Sequence, residues 1–167
     1  MPTDPSSDKF TDLPYRPCAG IVLFNKDGKV FVGQRLDTYR EAWQLPQGGI
    51  DDGEEPAAAA HRELEEEIGT GNAEIIGETS EWLSYDLPPD LMGNIWKGRY
   101  RGQTQKWFAM RFLGDESEIS PSAVEHPEFG AWKWANLAEI PEMAVVFKRD
   151  IYQTLVIEFA RFAKSKS

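Results

Sequence analysis

The 167-residue chain contains one cysteine, Cys18, and two histidines, His61 and His126. A single thiol excludes an intramolecular disulfide framework and fits a reducing compartment. Two isolated histidines exclude catalysis by a histidine cluster. Basic residues are also few, with 18 Lys and Arg against 28 Asp and Glu and a formal net charge of −10. Proteins that coat DNA or RNA need a basic footprint, so an extended nucleic-acid surface is excluded. A small anionic substrate is not excluded, because bound cations can reverse the sign of a local field. No apolar run reaches membrane-spanning length, and the opening MPTDPSSDKFTDLP lacks the apolar stretch of a signal peptide. A cytoplasmic protein without membrane contact is the expectation, and a monomer.

What is present is enough apolar and aromatic residue for one folded domain. It is expected over residues 15–163, between flexible tails at 1–14 and 164–167. Ala19–Phe24 is a nearly continuous apolar run, as in a strand buried on both faces. Asn25-Lys26-Asp27-Gly28 and Val30–Gly33 follow as turn and second strand. Gln34 to Arg40 reads as loop. Trp43–Leu45 reads as a short strand ended by Pro46 and Gly48-Gly49. Further strands are expected at Ala73–Gly77, Thr79–Tyr85, Gln105–Leu113 and Glu128–Ala135. The long segment Leu87–Gly102 carries Lys97, Arg99 and Arg101 and reads as a functional or mobile loop. Ile151, Leu155, Phe159 and Phe162 recur at helical spacing in a last helix expected over 148–163. The pattern is α/β, with helices covering a mixed sheet.

The most informative stretch is Gly48–Thr70, GGIDDGEEPAAAAHRELEEEIGT. Pro56 suits the first turn of a helix, acidic residues before it suit the helix dipole, and Gly69 suits its end. Within that helix Glu63, Glu66 and Glu67 stand at i, i+3 and i+4, on one side. A run of glutamates on a helix is ordinarily a solvated face. Like charges on one face repel, and a divalent cation with hard oxygen ligands removes that repulsion.

The spacing matches G-x5-E-x7-R-E-U-x-E-E-x-G-U, where U is a bulky aliphatic residue. The matched positions are Gly48, Glu54, Arg62, Glu63, Leu64, Glu66, Glu67 and Gly69. Thr70 departs from the final aliphatic position, with an effect expected on packing alone. This is the Nudix box, and the chain resembles a Nudix hydrolase. YRPCAGIVLFN, WQLPQGGID, EWLSYDLP, GQTQKWF, PEFGAWKW and VVFKRDIY are similar to one branch of that family. The branch holds the RNA 5′-pyrophosphohydrolases and the asymmetrical diadenosine tetraphosphate hydrolases. The resemblance spans residues 15–159 and implies a Nudix α/β/α sandwich with a mixed β-sheet between helices.

It further implies hydrolysis of a 5′-polyphosphate chain by a metal-activated water, with two to three Mg²⁺ ions, or Mn²⁺ in their place. Glu63, Glu66, Glu67, Glu128 in PEF and the carbonyl of Gly48 would hold the metals. The general base would be a box glutamate or Glu128. Arg62 would orient a box carboxylate through a bidentate ion pair with Glu54. Tyr85 and Phe147 would sandwich the nucleobase, with Val145 beside it. Arg35, Lys97, Lys106 and Lys148 are candidate phosphate or base contacts. Trp82, Trp107, Trp132 and Trp134 are expected in the core. Two substrates fit: diadenosine tetraphosphate, split to ATP and AMP, and RNA with a 5′-triphosphate end. The alternative is a non-catalytic nucleotide-binding module on the same fold.

Overall fold

The structure is a computed structural model, which describes residues 13–36, 42–88 and 95–163. Residues 1–12 of the tail expected at 1–14, the tail expected at 164–167, and parts of the 34–40 and 87–102 loops lie outside these residues.

The strands are β1 (Tyr15–Phe24), β2 (Val30–Arg35), β3 (Trp43–Gln44), β4 (Gln47–Gly49), β5 (Ala73–Glu78), β6 (Leu83–Asp86), β7 (Gly102–Phe112) and β8 (Phe129–Ala135). The helices are α1 (Pro56–Ile68), α2 (Ile140–Met143) and α3 (Arg149–Phe159). The sheet runs β3-β2-β1-β7-β5, with β4 paired to β1, β6 to β7 and β8 to β2. β1 and β7 are parallel from Tyr15↔Gly102 to Phe24↔Arg111, and all other pairs are antiparallel.

The apolar run in β1 serves two cores. Ala19, Ile21 and Leu23 face α1, where Ala59, Ala60, Leu64 and Ile68 are buried. Val22 and Phe24 face α3, where Ile151, Tyr152, Leu155 and Phe159 are buried. Period-two alternation therefore carries apolar residues on both faces, as a strand covered by helices on each side requires. Each fully buried Leu or Ile contributes about 1.5–3 kcal/mol.

α1 begins with proline in its first turn and ends at Gly69, whose φ of 90° is left-handed and whose N–H donates to the Glu65 carbonyl. No acidic side chain caps its start. Glu54, just before the helix, has a further use, described below.

Several sequence expectations are corrected. Gln47–Gly49 does not end a strand but forms β4, because its backbone pairs with Cys18–Gly20 of β1. The segment between β7 and β8, which shows no periodicity in sequence, contains a 3₁₀ turn at Glu116–Glu118 closed by an Asp115 capping box. The last helix stops as α-helix at Phe159 and continues as a 3₁₀ turn. Thr70 is buried; its hydroxyl donates to Glu118 Oε1 at 3.0 Å and accepts from the Asn72 N–H at 3.1 Å. The departure at this position thus ties the end of α1 to the capping-box turn. Of the four tryptophans expected in the core, Trp107 is fully buried, whereas Trp82 is 44% exposed. Trp132 and Trp134 are half-buried and pack on Phe31.

Candidate active site

β4 and α1 lie side by side, and their closeness depends on a missing side chain. A Cβ on Gly48 would stand 2.1 Å from the Glu63 carboxylate. Gly48 therefore leaves the space in which Glu63 rests. Gly48→Ala should displace that carboxylate and lower turnover by about tenfold to a hundredfold, since an ångström of misplacement in a catalytic group has that order of cost. Steady-state kinetics checks this, and a wild-type rate would show that the position of Glu63 is immaterial.

Arg62 organises the acidic face. Its Nε and Nη2 donate to the two Glu54 oxygens, both at 2.8 Å. Nη1 donates to Glu63 at 2.9 Å and to Glu66 at 3.2 Å, and Nη2 also donates to the Gly49 carbonyl at 2.9 Å. One planar guanidinium thus joins the loop before α1, the helix and β4, using its fixed fork of donors. The hydrogen bonds from Arg62 hold the Glu54 carboxyl down at about 2. Glu54 also accepts from the Asp51 N–H at 3.0 Å, so it orders the loop and does not cap the helix.

The glutamates of α1 differ in environment. Glu66 is exposed, Glu63 is largely buried and Glu67 is 3% exposed. Burial raises the pKa of Glu63, opposed by Arg62. Burial raises that of Glu67 well above the carboxylate range, reinforced by the nearby Glu128 and Glu63 carboxylates. Neither oxygen of Glu67 completes a well-formed hydrogen bond, and the nearby Gln47 backbone N–H offsets its burial only in part. A buried carboxylate so weakly met is costly and calls for a cation or a proton.

These residues line one cleft of about 1120 Å³. The same cleft is lined by Arg16, Arg35, Lys148, Tyr85, Val145 and Phe147. Carboxylates and cations thus share one cleft, in a protein of net charge −10. A family profile described as the NUDIX domain matches residues 14–155. The chain belongs to the Nudix hydrolase family. RNA pyrophosphohydrolase from Roseobacter denitrificans is 54% identical over 91% of this chain and 96% of its own. The protein of that name from Rhodospirillum rubrum is 55% identical over 90% of each chain. Among solved structures, the E. coli dihydroneopterin triphosphate pyrophosphohydrolase superposes with a TM-score of 0.65 at 20% identity, covering 87% of this chain and 99% of its own. A C. elegans Ap4A hydrolase gives 0.63 at 21% identity, over 87% and 98%. These two likenesses concern the fold.

Nudix hydrolases generally use divalent metals, and the donor set here suits one: hard carboxylate oxygens, two of them buried without a partner. Among the described residues, no three acidic, histidine or cysteine side chains already converge on a single point. Arg62 holds Glu63 and Glu66, while Glu67 and Glu128 stand apart from that ion pair.

The remaining candidates in this Nudix cleft divide. Tyr85 and Phe147 are brought together from β6 and the turn before α3, with ring centroids 5.5 Å apart and a 31° tilt. A base inserted between two rings needs about 7 Å, twice the carbon contact distance. The pair touches instead of leaving a slot, so a base must part the rings or stack on an outer face. Lys148 is buried, and its Nζ lies 3.5 Å from Gln44 Oε1. Burial, and then Arg35, lower its pKa to about 8. Arg35 reaches the same Gln44 oxygen, also at 3.5 Å.

Lys106 does not line the cleft. Strand alternation turns it away from Gln103 and Gln105, and its ammonium donates to the Thr79 carbonyl, with Glu78 at 3.9 Å. Lys97 lies outside the cleft-lining residues too. Arg101 forms a two-pronged ion pair with Asp86 at 2.9 and 3.1 Å and covers the Tyr15 ring. Sequence reasoning missed Arg16, Gln44, Gln47 and Gln103 as cleft residues. All stand in the quoted motifs YRPCAG, WQLPQGG and GQTQKW, but polar residues in a strand carry no local signal of the face that they will meet.

Proposed function

We propose that this Nudix hydrolase removes pyrophosphate from RNA with a 5′-triphosphate end, leaving a 5′-monophosphate. The observation that carries the reading is the 54–55% identity, over about nine-tenths of the chain, to proteins named RNA pyrophosphohydrolase. The cleft is consistent with it. Glu63, Glu66, Glu67, Glu128 and the Gly48 carbonyl would hold two to three Mg²⁺ ions, with Mn²⁺ able to substitute. When bound, the ions neutralise the polyphosphate and lower the pKa of the attacking water. Arg62 keeps Glu63 in place through its ion pair. Arg35 and Lys148 provide cationic contacts for phosphate oxygens. Tyr85, Val145 and Phe147 form the apolar platform for the first base, and stacking contributes about 1–3 kcal/mol per base. Such a site needs only the first nucleotides of an RNA, which accords with the absence of a basic footprint.

A second substrate, diadenosine tetraphosphate, is favoured by the motifs RLDTYREAWQLPQGGIDDGEEP and EWLSYDLPP. Turnover of a triphosphorylated RNA oligonucleotide and of diadenosine tetraphosphate by the wild type, with Mg²⁺ and resolved products, tests both. Faster release of pyrophosphate from the RNA is expected. Negligible turnover of both, with rapid cleavage of another nucleotide, would overturn the assignment.

A further inference from the structure

A glutamine side chain presents an N–H donor at one end of its amide and a carbonyl acceptor at the other. Three such amides, of Gln44, Gln47 and Gln103, line the cleft. Which end each shows to a substrate depends on what holds the other end.

For Gln103 that question is answered from the core. The Trp107 indole is a donor only, and its Nε1–H donates to Gln105 Oε1 at 2.9 Å. The oxygen of Gln105 is thereby committed to Trp107. Its Nε2 donates to Gln103 Oε1 at 2.6 Å and reaches Gln47 Oε1 at 3.5 Å. Gln103, Gln105 and Trp107 are each no more than 2% exposed, so water does not compete for these bonds. The indole itself is fixed: a Cβ on Gly20 would meet its ring at 2.4 Å, and Tyr152 packs against it edge-on at 6.0 Å. Tyr152 in turn accepts from the Leu45 N–H at 2.9 Å. A rigid donor-only group thus sets the direction of every amide that follows it.

We propose that Trp107 and Gln105 are positioning residues that polarise this relay, so that Gln103 and Gln47 face the cleft with N–H donors for phosphate oxygens of the bound nucleotide. Gln103 stands opposite Tyr85 in the β6–β7 pair, beside the aromatic platform. Gln44 follows the same rule by another route. Its oxygen faces two donor-only cations, Arg35 and Lys148, and its Nε2 is left buried and without a partner. All three amides then offer nitrogen, and with Arg16, Arg35 and Lys148 they give the cleft a set of donors matched to an anion. The proposal rests on the polyphosphate-hydrolase reading.

Gln105→Glu tests the relay by reversing it. A carboxylate has acceptors only, so it keeps the Trp107 bond but draws the Gln103 N–H inward, turning a carbonyl oxygen toward the substrate. KM for the triphosphorylated RNA should rise by about tenfold or more, from the loss of a hydrogen bond to a charged oxygen, while kcat stays within about threefold. Trp107→Phe keeps an aromatic ring but removes the donor. Both relay directions then become available, and KM should rise only about two- to threefold. In a background with both Gln47→Met and Gln103→Met, Gln105→Glu should add no more than about twofold, because coupled residues are non-additive. An unchanged KM in Gln105→Glu overturns the proposal. So does an equal rise with and without the two glutamines, which would mark a simple charge effect. Thermal melts establish that each variant folds, and if Gln105→Glu does not, Trp107→Phe decides alone. If the wild type leaves the RNA intact, the substrate reading has failed, and the same KM comparison is made on the nucleoside polyphosphate that it does hydrolyse.

Discussion

Glu67→Gln is expected to lower kcat by about two to three orders of magnitude, the scale on which a single electrostatic group in a water-excluded site matters. The fold should persist. Glu67 is 3% exposed, and neither carboxylate oxygen completes a hydrogen bond. Its burial near Glu128 and Glu63 disfavours the charged form. A carboxylate in that position costs the metal-free protein stability, and glutamine has nearly its shape without its charge. The metal-free variant should therefore melt no lower than the wild type. With Mg²⁺ present, the wild type should gain melting temperature, because a ligand that binds only the folded state stabilises it. Glu67→Gln should lose most of that gain. Thermal melts with and without Mg²⁺, beside turnover measurements, check both halves. Unchanged turnover would remove Glu67 from the metal site, and a collapsed melt would make it a structural residue.

Lys148→Met should show the opposite trade, a more stable protein that binds substrate less well. Lys148 is 9% exposed, and burial, with Arg35 second, lowers its pKa from 10.5 to about 8. The folded state thus disfavours the protonated form. The cost is fully present below pH 8 and disappears as the pH rises through 10.5, because only the unfolded chain holds that proton in between. At pH 7 the lost proton affinity corresponds to about 3–4 kcal/mol. Its removal should raise the melting temperature by several degrees, at about 2–4 °C per kcal/mol for a chain of this size. The advantage over the wild type should shrink between pH 8 and pH 10. KM should rise, since the buried ammonium is a cationic contact of the cleft. A variant less stable than the wild type at pH 7 would show that Lys148 is held by partners stronger than the distant Gln44 oxygen.

Both residues illustrate a site that costs the fold stability. Lys148 and Glu67 are both buried at a cost that is only partly offset by their neighbours. Removing either charge alone should therefore favour the fold and, on the proposed function, impair the reaction.

The amino-acid sequence by itself determined whatever depends on neighbours along the chain. Proline at the start of α1 and glycine at its left-handed end mark the helix. Spacing of i, i+3 and i+4 places Glu63, Glu66 and Glu67 on one side of it. Arg62 reaches Glu54 because eight residues of loop and helix bring them together. The nearly continuous apolar run of β1 foretold a strand covered on both faces. These are short-range consequences of backbone geometry, and they are legible without a fold.

Tertiary structure alone decided what lies across the cleft. Tyr85 and Phe147 are far apart in the chain and touch only because β6 packs near the turn before α3. Lys106 and Gln105 are adjacent in sequence, yet one faces Thr79 and the other the relay. The face that each meets is set by sheet register, which long-range pairing determines. Equally, a run of glutamates does not reveal that Glu66 is exposed while Glu67 is buried. Burial is a property of what packs above a residue, and that is decided by elements distant in the chain.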